Sequence, residues 1–136
     1  MTGVESVETM PVRTGDDVVR VRQLVRTRAK AVRLSLVDQT KLVTAASELA
    51  RNIVTYGGAG TVRVETITKG GRHAVRATFS DTGPGIPDVE LALTDGWTSG
   101  TGLGLGLSGA RRLVDEFDID TEVGKGTTVT VVKWTR

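Results

Sequence analysis

The chain has no cysteine, one histidine, three prolines and only 4% aromatic residues in its 136 positions. Without thiols there is no disulfide framework, no cysteine nucleophile and no thiolate metal site. His73 is the only imidazole; with no partner for a metal site or a catalytic triad, it is expected to serve a surface or strand-packing role. The shortage of aromatics argues against stacking platforms for single-stranded nucleic acid. A formal net charge of +2 is also too small to suggest a nucleic-acid partner. No apolar run approaches the roughly 20 residues that span a bilayer, so no membrane-spanning helix is expected. The opening "MTGVESVETMPVR" is neither a basic-then-apolar signal nor an arginine-rich transit sequence, and a cytoplasmic location is expected. Length predicts one domain over residues 1–136, with one hydrophobic core.

Periodicity supplies the elements. Val7 to Arg13 is compatible with a strand, and Gly15, Asp16 and Asp17 mark a helix start, with acids near the positive end of the helix dipole. Val18, Val21, Val25, Ala29 and Val32 recur at helical spacing, with Arg22, Arg26, Lys30 and Arg33 gathered beside them. Such a basic flank is either a solvated helix face or a docking surface for an acidic partner. Ser35 is placed to cap a second helix whose buried stripe is Leu42, Ala46, Leu49, Ile53 and Tyr56, with Gly57 as its stop. "TVRVETI" and "HAVRATF" alternate as strands do and are joined by "TKGGR", a hairpin.

From Ser80 to Gly106 the periodicity lapses, apart from a short possible helix in "VELALTDG"; so long a loop in a compact domain is usually functional or mobile. Leu107, Ala110, Leu113, Val114 and Phe117 then form the buried side of a third helix, followed by strands in "DIDTEV" and "TTVTVVKW" around the turn "GKG". Grouped helices and hairpin-linked strands predict an α+β two-layer sandwich, with a mixed, mostly antiparallel sheet covered on one face by about three helices.

Glycine motifs are what the chain has in abundance. "GLGLSG" satisfies G-x-G-x-x-G, but it lacks both the preceding strand and the later acid of a dinucleotide site. "GKG" has glycine where a phosphate-binding P-loop needs serine or threonine. The signature triplets of the common protein-kinase fold are missing. Four features remain in order: Glu48 with Asn52, "DTGPGIP" from Asp81, "GTGLGLGL" from Gly100, and "GKGT" from Gly124. Glu48 and Asn52 are four apart and project from one flank of a helix. An amide oxygen suits Mg²⁺, which keeps most of its waters and borrows phosphate oxygens, and a nearby carboxylate could take a proton from an attacking hydroxyl. An exposed polar helix face would explain the same pair. Asp81, at a strand end, can accept from an exocyclic amine such as that of adenine, although a plain turn also fits "DTGPGIP". Alternating glycines before a helix leave backbone N–H groups uncovered for phosphates.

Taken together the four features resemble the N, G1, G2 and G3 boxes of the GHKL superfamily of ATPases and kinases, which includes gyrase, Hsp90, sensor histidine kinases and MutL and shares the Bergerat fold. Within it the chain is similar to the bacterial anti-sigma serine/threonine kinases, and especially to their stressosome switch kinases, through "TAASELARNI", "DTGPGIPD", "DGWTSGTGLGLGL", "ARRLVDEF" and "VVKWTR". The resemblance implies an ATP- and Mg²⁺-dependent kinase that phosphorylates a serine on a STAS-domain antagonist and on a STAS-domain scaffold, and then binds and activates a PP2C-type phosphatase. By position it makes Glu48 the general base and Asn52 the Mg²⁺ ligand. Asp81 would read adenine, with Gly83, Gly85 and Ile86 shaping its pocket and Thr127 supporting it. Thr101, Gly102, Leu103, Gly104, Leu105 and Gly106 would line the phosphates, and residues 86–101 would form the ATP lid.

Two departures stand out. Thr55 and Tyr56 occupy positions where related histidine kinases often carry a basic residue and a histidine, and the lid contains no lysine or arginine. Triphosphate charge would then fall to Mg²⁺, backbone N–H groups and whichever of Arg51, Arg111 or Arg112 can reach, which predicts a slow kinase with modest ATP affinity. Trp97 would anchor the lid and Trp134 would pack in the core or at an edge. Two other readings stay open: an anti-sigma kinase that sequesters a sigma factor directly, and a non-catalytic, nucleotide-gated binding module.

Overall fold

The computed structural model describes residues 2–85, 93 and 106–136. Ile86, Thr101, Gly102, Leu103, Gly104, Leu105, Trp97, the short helix expected in "VELALTDG" and the lid, apart from Leu93, therefore lie outside the described residues. The order is β1 (Gly3–Val12), α1 (Gly15–Ala31), α2 (Leu36–Asn52), a π-helical turn (Ile53–Gly57), β2 (Gly60–Lys69), β3 (Arg72–Asp81), α3 (Gly106–Arg112), β4 (Glu116–Glu122) and β5 (Gly126–Trp134). The strands form one sheet in the order β1-β2-β3-β5-β4.

All four described pairings are antiparallel, so the sheet expected to be mixed but mostly antiparallel has no parallel pair among the described strands. The reason lies in the connections. The chain leaves β1 at Val12 and re-enters the sheet at Gly60, which pairs with it. Two helices packed on each other return the chain to the end it left, where a single crossover helix would have made the strands parallel. The other neighbours are hairpins, or, for β5, a strand inserted between β3 and β4.

Helix starts follow the local chemistry. The Asp17 carboxylate accepts the backbone N–H groups of Arg13 and Thr14 and a bond from Arg20 Nη1 at 2.9 Å. The Arg13 N–H, above all, holds this carboxyl below its ordinary range. Ser35 caps α2 as expected, its Oγ accepting the Asp38 N–H at 3.1 Å. The core lies between the helices and one sheet face: Val18, Val21, Val25 and Ala29 of α1 and Leu42, Ala46 and Leu49 of α2 meet Val62, Val64, Val75, Phe79, Val129 and Val131. On the opposite face, Glu65 is buried under Arg76, which donates from Nε at 2.9 Å and Nη2 at 3.1 Å and lowers the carboxyl's pKa. There Trp134 packs on Ile67, Ala74 and Val132, with the Arg72 guanidinium 5.4 Å from its ring centroid. His73 lies exposed at the start of β3 and meets Glu5 Oε1 through Nδ1 at 3.0 Å.

Both sheet edges are blunted. Edge strand β4 exposes Glu116, Asp118, Asp120 and Glu122 at alternate positions, and β1 has a register break between Val4 and Ser6. Like charge and bulges both discourage edge-to-edge pairing.

Three sequence expectations fail locally. Helix α2 stops at Asn52 and continues as the π turn, so the α-helical spacing ends there and Tyr56 is 38% exposed instead of buried. Helix α3 stops at Arg112, leaving Leu113 and Val114 half-buried in a turn and Phe117 on β4. The cause is Asp115, whose N–H donates to the Val132 carbonyl and whose carboxylate accepts the Trp134 N–H, both pulling the chain into the sheet. Arg33 lies beyond the end of α1 with φ 65°, so only Arg22, Arg26 and Lys30 of the basic flank share that helix.

Candidate nucleotide site

Asp81 ends β3 with one oxygen fully engaged. Its Oδ1 accepts the N–H of Gly83 at 2.9 Å and that of Thr127 at 3.3 Å. Thr127 itself is tied to β4 through a 2.9 Å contact between its Oγ1 and that of Thr121. No described residue donates to Oδ2, which lies beside Gly57: a Cβ there would sit 2.9 Å from it and 2.7 Å from Asp81 Cγ. Gly83 faces Gly57 equally closely, since its own Cβ would come within 2.8 Å of the Gly57 Cα. A side chain at either position would fill the space on the open side of the carboxylate. Gly85 lies against Glu122 and Val123, and the Gly124 N–H donates to the Pro84 carbonyl at 2.8 Å. The second and fourth sequence features are thus one structural corner.

Glu48 sits on α2 and is buried with its polar group. Its Oε1 accepts from Arg51 Nη1 at 3.1 Å, and its Oε2 is buried with no partner among the described residues. An unsatisfied buried carboxylate oxygen is costly to maintain unless something uses it. The reading of this residue as part of an exposed polar face does not hold. Of the arginines left open by the sequence, Arg51 is committed to Glu48, whereas Arg111 lines a recess with Leu93, Val114, Asp115 and Phe117. Asn52, one residue further on, is half-buried and its side chain makes no cap bond. Gly106 begins α3 with φ 55°.

The structure therefore brings Asp81, Gly83, Gly85 and Thr127 into one corner and sets Glu48 and Asn52 on α2, joined to that corner by the π turn. Sequence reasoning missed Gly57, read only as a stop, and Gly126, read only as a turn residue. The signal for Gly57 was the glycine density of "YGGAG" directly after the Glu48–Asn52 pair. Gly126 has φ 113°, and a Cβ on it would overlap the Asp81 carbonyl oxygen. Gly126→Ala is expected to cost about 1–3 kcal/mol from the left-handed backbone, plus whatever separates β3 from β5. Urea unfolding measures the first loss, and titration with ATP should show weakened binding because Thr127 moves with residue 126.

A family model described as histidine kinase-, DNA gyrase B- and HSP90-like ATPase matches residues 37–135. The chain belongs to this ATPase family. It is 42% identical over 120 residues to the serine/threonine-protein kinase RsbT of Bacillus subtilis (strain 168), covering 88% of this chain and 90% of that one. It is 32% identical over 106 residues to the anti-sigma F factor of Anoxybacillus flavithermus, covering 73% and 71% respectively. The same ATPase fold recurs in the crystal structure of the RsbU and RsbW domains of a Mycobacterium tuberculosis protein, with a TM-score of 0.67 at 24% identity over 97% of this chain and 33% of that one. It recurs again in the mycobacterial sensor histidine kinase MprB, with a TM-score of 0.56 at 22% identity over 95% and 99%.

Proposed function

We propose that the chain is an ATP-dependent serine/threonine protein kinase of a partner-switching pathway. It phosphorylates a serine on a STAS-domain antagonist and its STAS-domain scaffold in a stressosome, then binds and activates a PP2C-type phosphatase in the cytoplasm. The likeness to a curated serine/threonine kinase over nearly all of both chains supports the activity. The observation that carries the chemistry is the half-used state of two carboxylates: Glu48 and Asp81 each have one oxygen held by protein donors and the other without a described partner.

The site residues fit Mg²⁺-ATP. Asp81 Oδ2, walled by Gly57 and Gly83, would accept the adenine amine, while Thr127 and Gly83 hold Oδ1 so that the carboxylate cannot swing. Asn52 would lend its amide oxygen to the metal. Mg²⁺-ATP when bound supplies the transferable phosphoryl group and neutralises its charge. Glu48 Oε2 would take the proton of the acceptor serine as that oxygen is phosphorylated, with ADP as the leaving group. Arg51 fixes the carboxylate by its other oxygen, leaving Oε2 as the atom presented for the proton.

Isothermal titration tests the nucleotide half of this reading. Wild type should bind Mg²⁺-ATP, and Asp81→Asn, which presents an NH₂ group or forfeits its backbone bonds, should weaken binding by about tenfold or more. Equal affinities would remove Asp81 from the role. A second reading, direct capture of a sigma factor, is favoured by the likeness to anti-sigma F factors. Co-purification with a sigma factor instead of a STAS protein or phosphatase would select it.

A further inference from the structure

The outward side of α2 runs from open solvent into Glu48. At its start Leu36 and Val37 are 70% and 63% exposed although both are aliphatic. Thr40 and Lys41 are exposed, Thr44 is half-buried, and Glu48 is buried. Val37, Lys41, Thr44 and Glu48 are spaced i, i+4, i+7 and i+11, which puts them in one line along the helix. At 1.5 Å rise per residue the line is about 16 Å long. Single exposed aliphatic residues are ordinary on protein surfaces. Here an adjacent pair stands at the open end of a track whose closed end is a carboxylate oxygen without a partner among the described residues.

The exposed charge at the open end of the track and in the turn that leads into it has one sign. Lys30, Arg33 and Lys41 are exposed and make no ion pair among the described residues. The only acid between positions 30 and 47 is Asp38, which is buried and taken by Lys133 and Arg136 at 3.6 Å each. The nearest exposed acid in space, Asp115, is itself paired with Lys133 and Arg136, so a partner covering Leu36 and Val37 meets the unpaired Lys41 and Arg33, which favours an acidic surface.

We propose that this track is the docking site for the phospho-acceptor protein. An apolar side chain of the acceptor covers Leu36 and Val37, an acidic group beside it meets Lys41 and Arg33, and the acceptor hydroxyl lies about 16 Å further along, at Glu48. The inference rests on the reading of Glu48 as the general base, and it adds where the substrate is gripped and by what chemistry.

The test is steady-state phosphoryl transfer from Mg²⁺-ATP to a purified STAS-domain acceptor by wild type, Leu36→Asp/Val37→Asp and Lys41→Glu. Leu36 and Val37 are in the first turn of α2, where acids suit the helix dipole, so the double variant should melt like wild type. Each variant should raise KM for the acceptor by about tenfold or more, with kcat and KM for ATP unchanged, and Lys41→Arg should keep wild-type values. Variants with the wild-type acceptor KM would overturn the docking site and leave the kinase reading standing. No transfer by wild type, with ATP bound, would overturn the kinase reading and the docking site with it.

Discussion

Glu48→Gln is expected to lower phosphoryl transfer to the acceptor protein by about 10²–10⁴-fold, the usual contribution of a positioned general base. The substitution keeps the volume of the side chain but leaves an amide that cannot take the proton. Little else should change. The Oε2 atom has no partner among the described residues to lose, and the Arg51 side chain, 45% exposed, can turn to water once the anion is gone. Thermal stability should therefore match or slightly exceed that of wild type, because an imperfectly satisfied buried charge has been removed. ATP affinity should be unchanged, which separates this residue from Asp81. Transfer at the wild-type rate would show that the proton leaves by another route.

Lys133→Met is expected to cost about 3 kcal/mol, near the lower end of the range for removing one member of a buried charge cluster. Its Nζ is buried 3.6 Å from Asp38 and 3.3 Å from Asp115. Methionine fills a similar volume, so the loss is electrostatic: Asp38, itself buried, is left facing only Arg136 at 3.6 Å. Arg136 is 65% exposed and screened by water, so it recovers part of the loss, and Arg136→Ala alone should cost no more than about 1 kcal/mol. Burial pushes the Asp115 carboxyl up, but the Trp134 N–H, Lys133 and Arg136 outweigh that and hold it below its ordinary value. A carboxyl depressed in the folded state stabilises above its unfolded pKa of about 4, and that stability is lost as pH falls through the folded value. The penalty of Lys133→Met, read from urea melts, should accordingly shrink in acid. A penalty independent of pH would mean that the cluster acts by packing alone.

Much of the scaffold was legible in the chain. The valines of α1, the alternation of β2 and β3 and the Ser35 cap are local signals, and local signals survive folding. Four weak motifs are specific only in their order, and that order carries the resemblance that singles out Glu48, Asn52 and Asp81 as candidates. Other features depend on contacts between distant segments. Phe117 fits a helical spacing with Leu113 and Val114 and a strand spacing with Ile119, and only the bonds of Asp115 to β5 decide between them. The π turn has no periodic signature in five residues. Lys133 keeps the alternating phase of Val129 and Val131, which places it inward, but nothing local shows that Asp38 waits at the start of α2 to receive it. Gly57 and Gly126 looked like punctuation because the atoms they make room for belong to Asp81, on another strand.

The insertion of β5 between β3 and β4 has a consequence for the life of the chain on the ribosome. This strand is made after β1, β2, β3 and β4, yet it lies between β3 and β4 and carries Thr127, whose N–H restrains Asp81. Until it emerges, the sheet is two unconnected pieces and the Asp81 carboxylate has lost a clamp. A nascent chain therefore lacks the finished corner proposed here to take the nucleotide. On the proposed reading of that corner, binding of ATP, and the stabilisation that comes with it by mass action, becomes available only once β5 has been made and paired with β3.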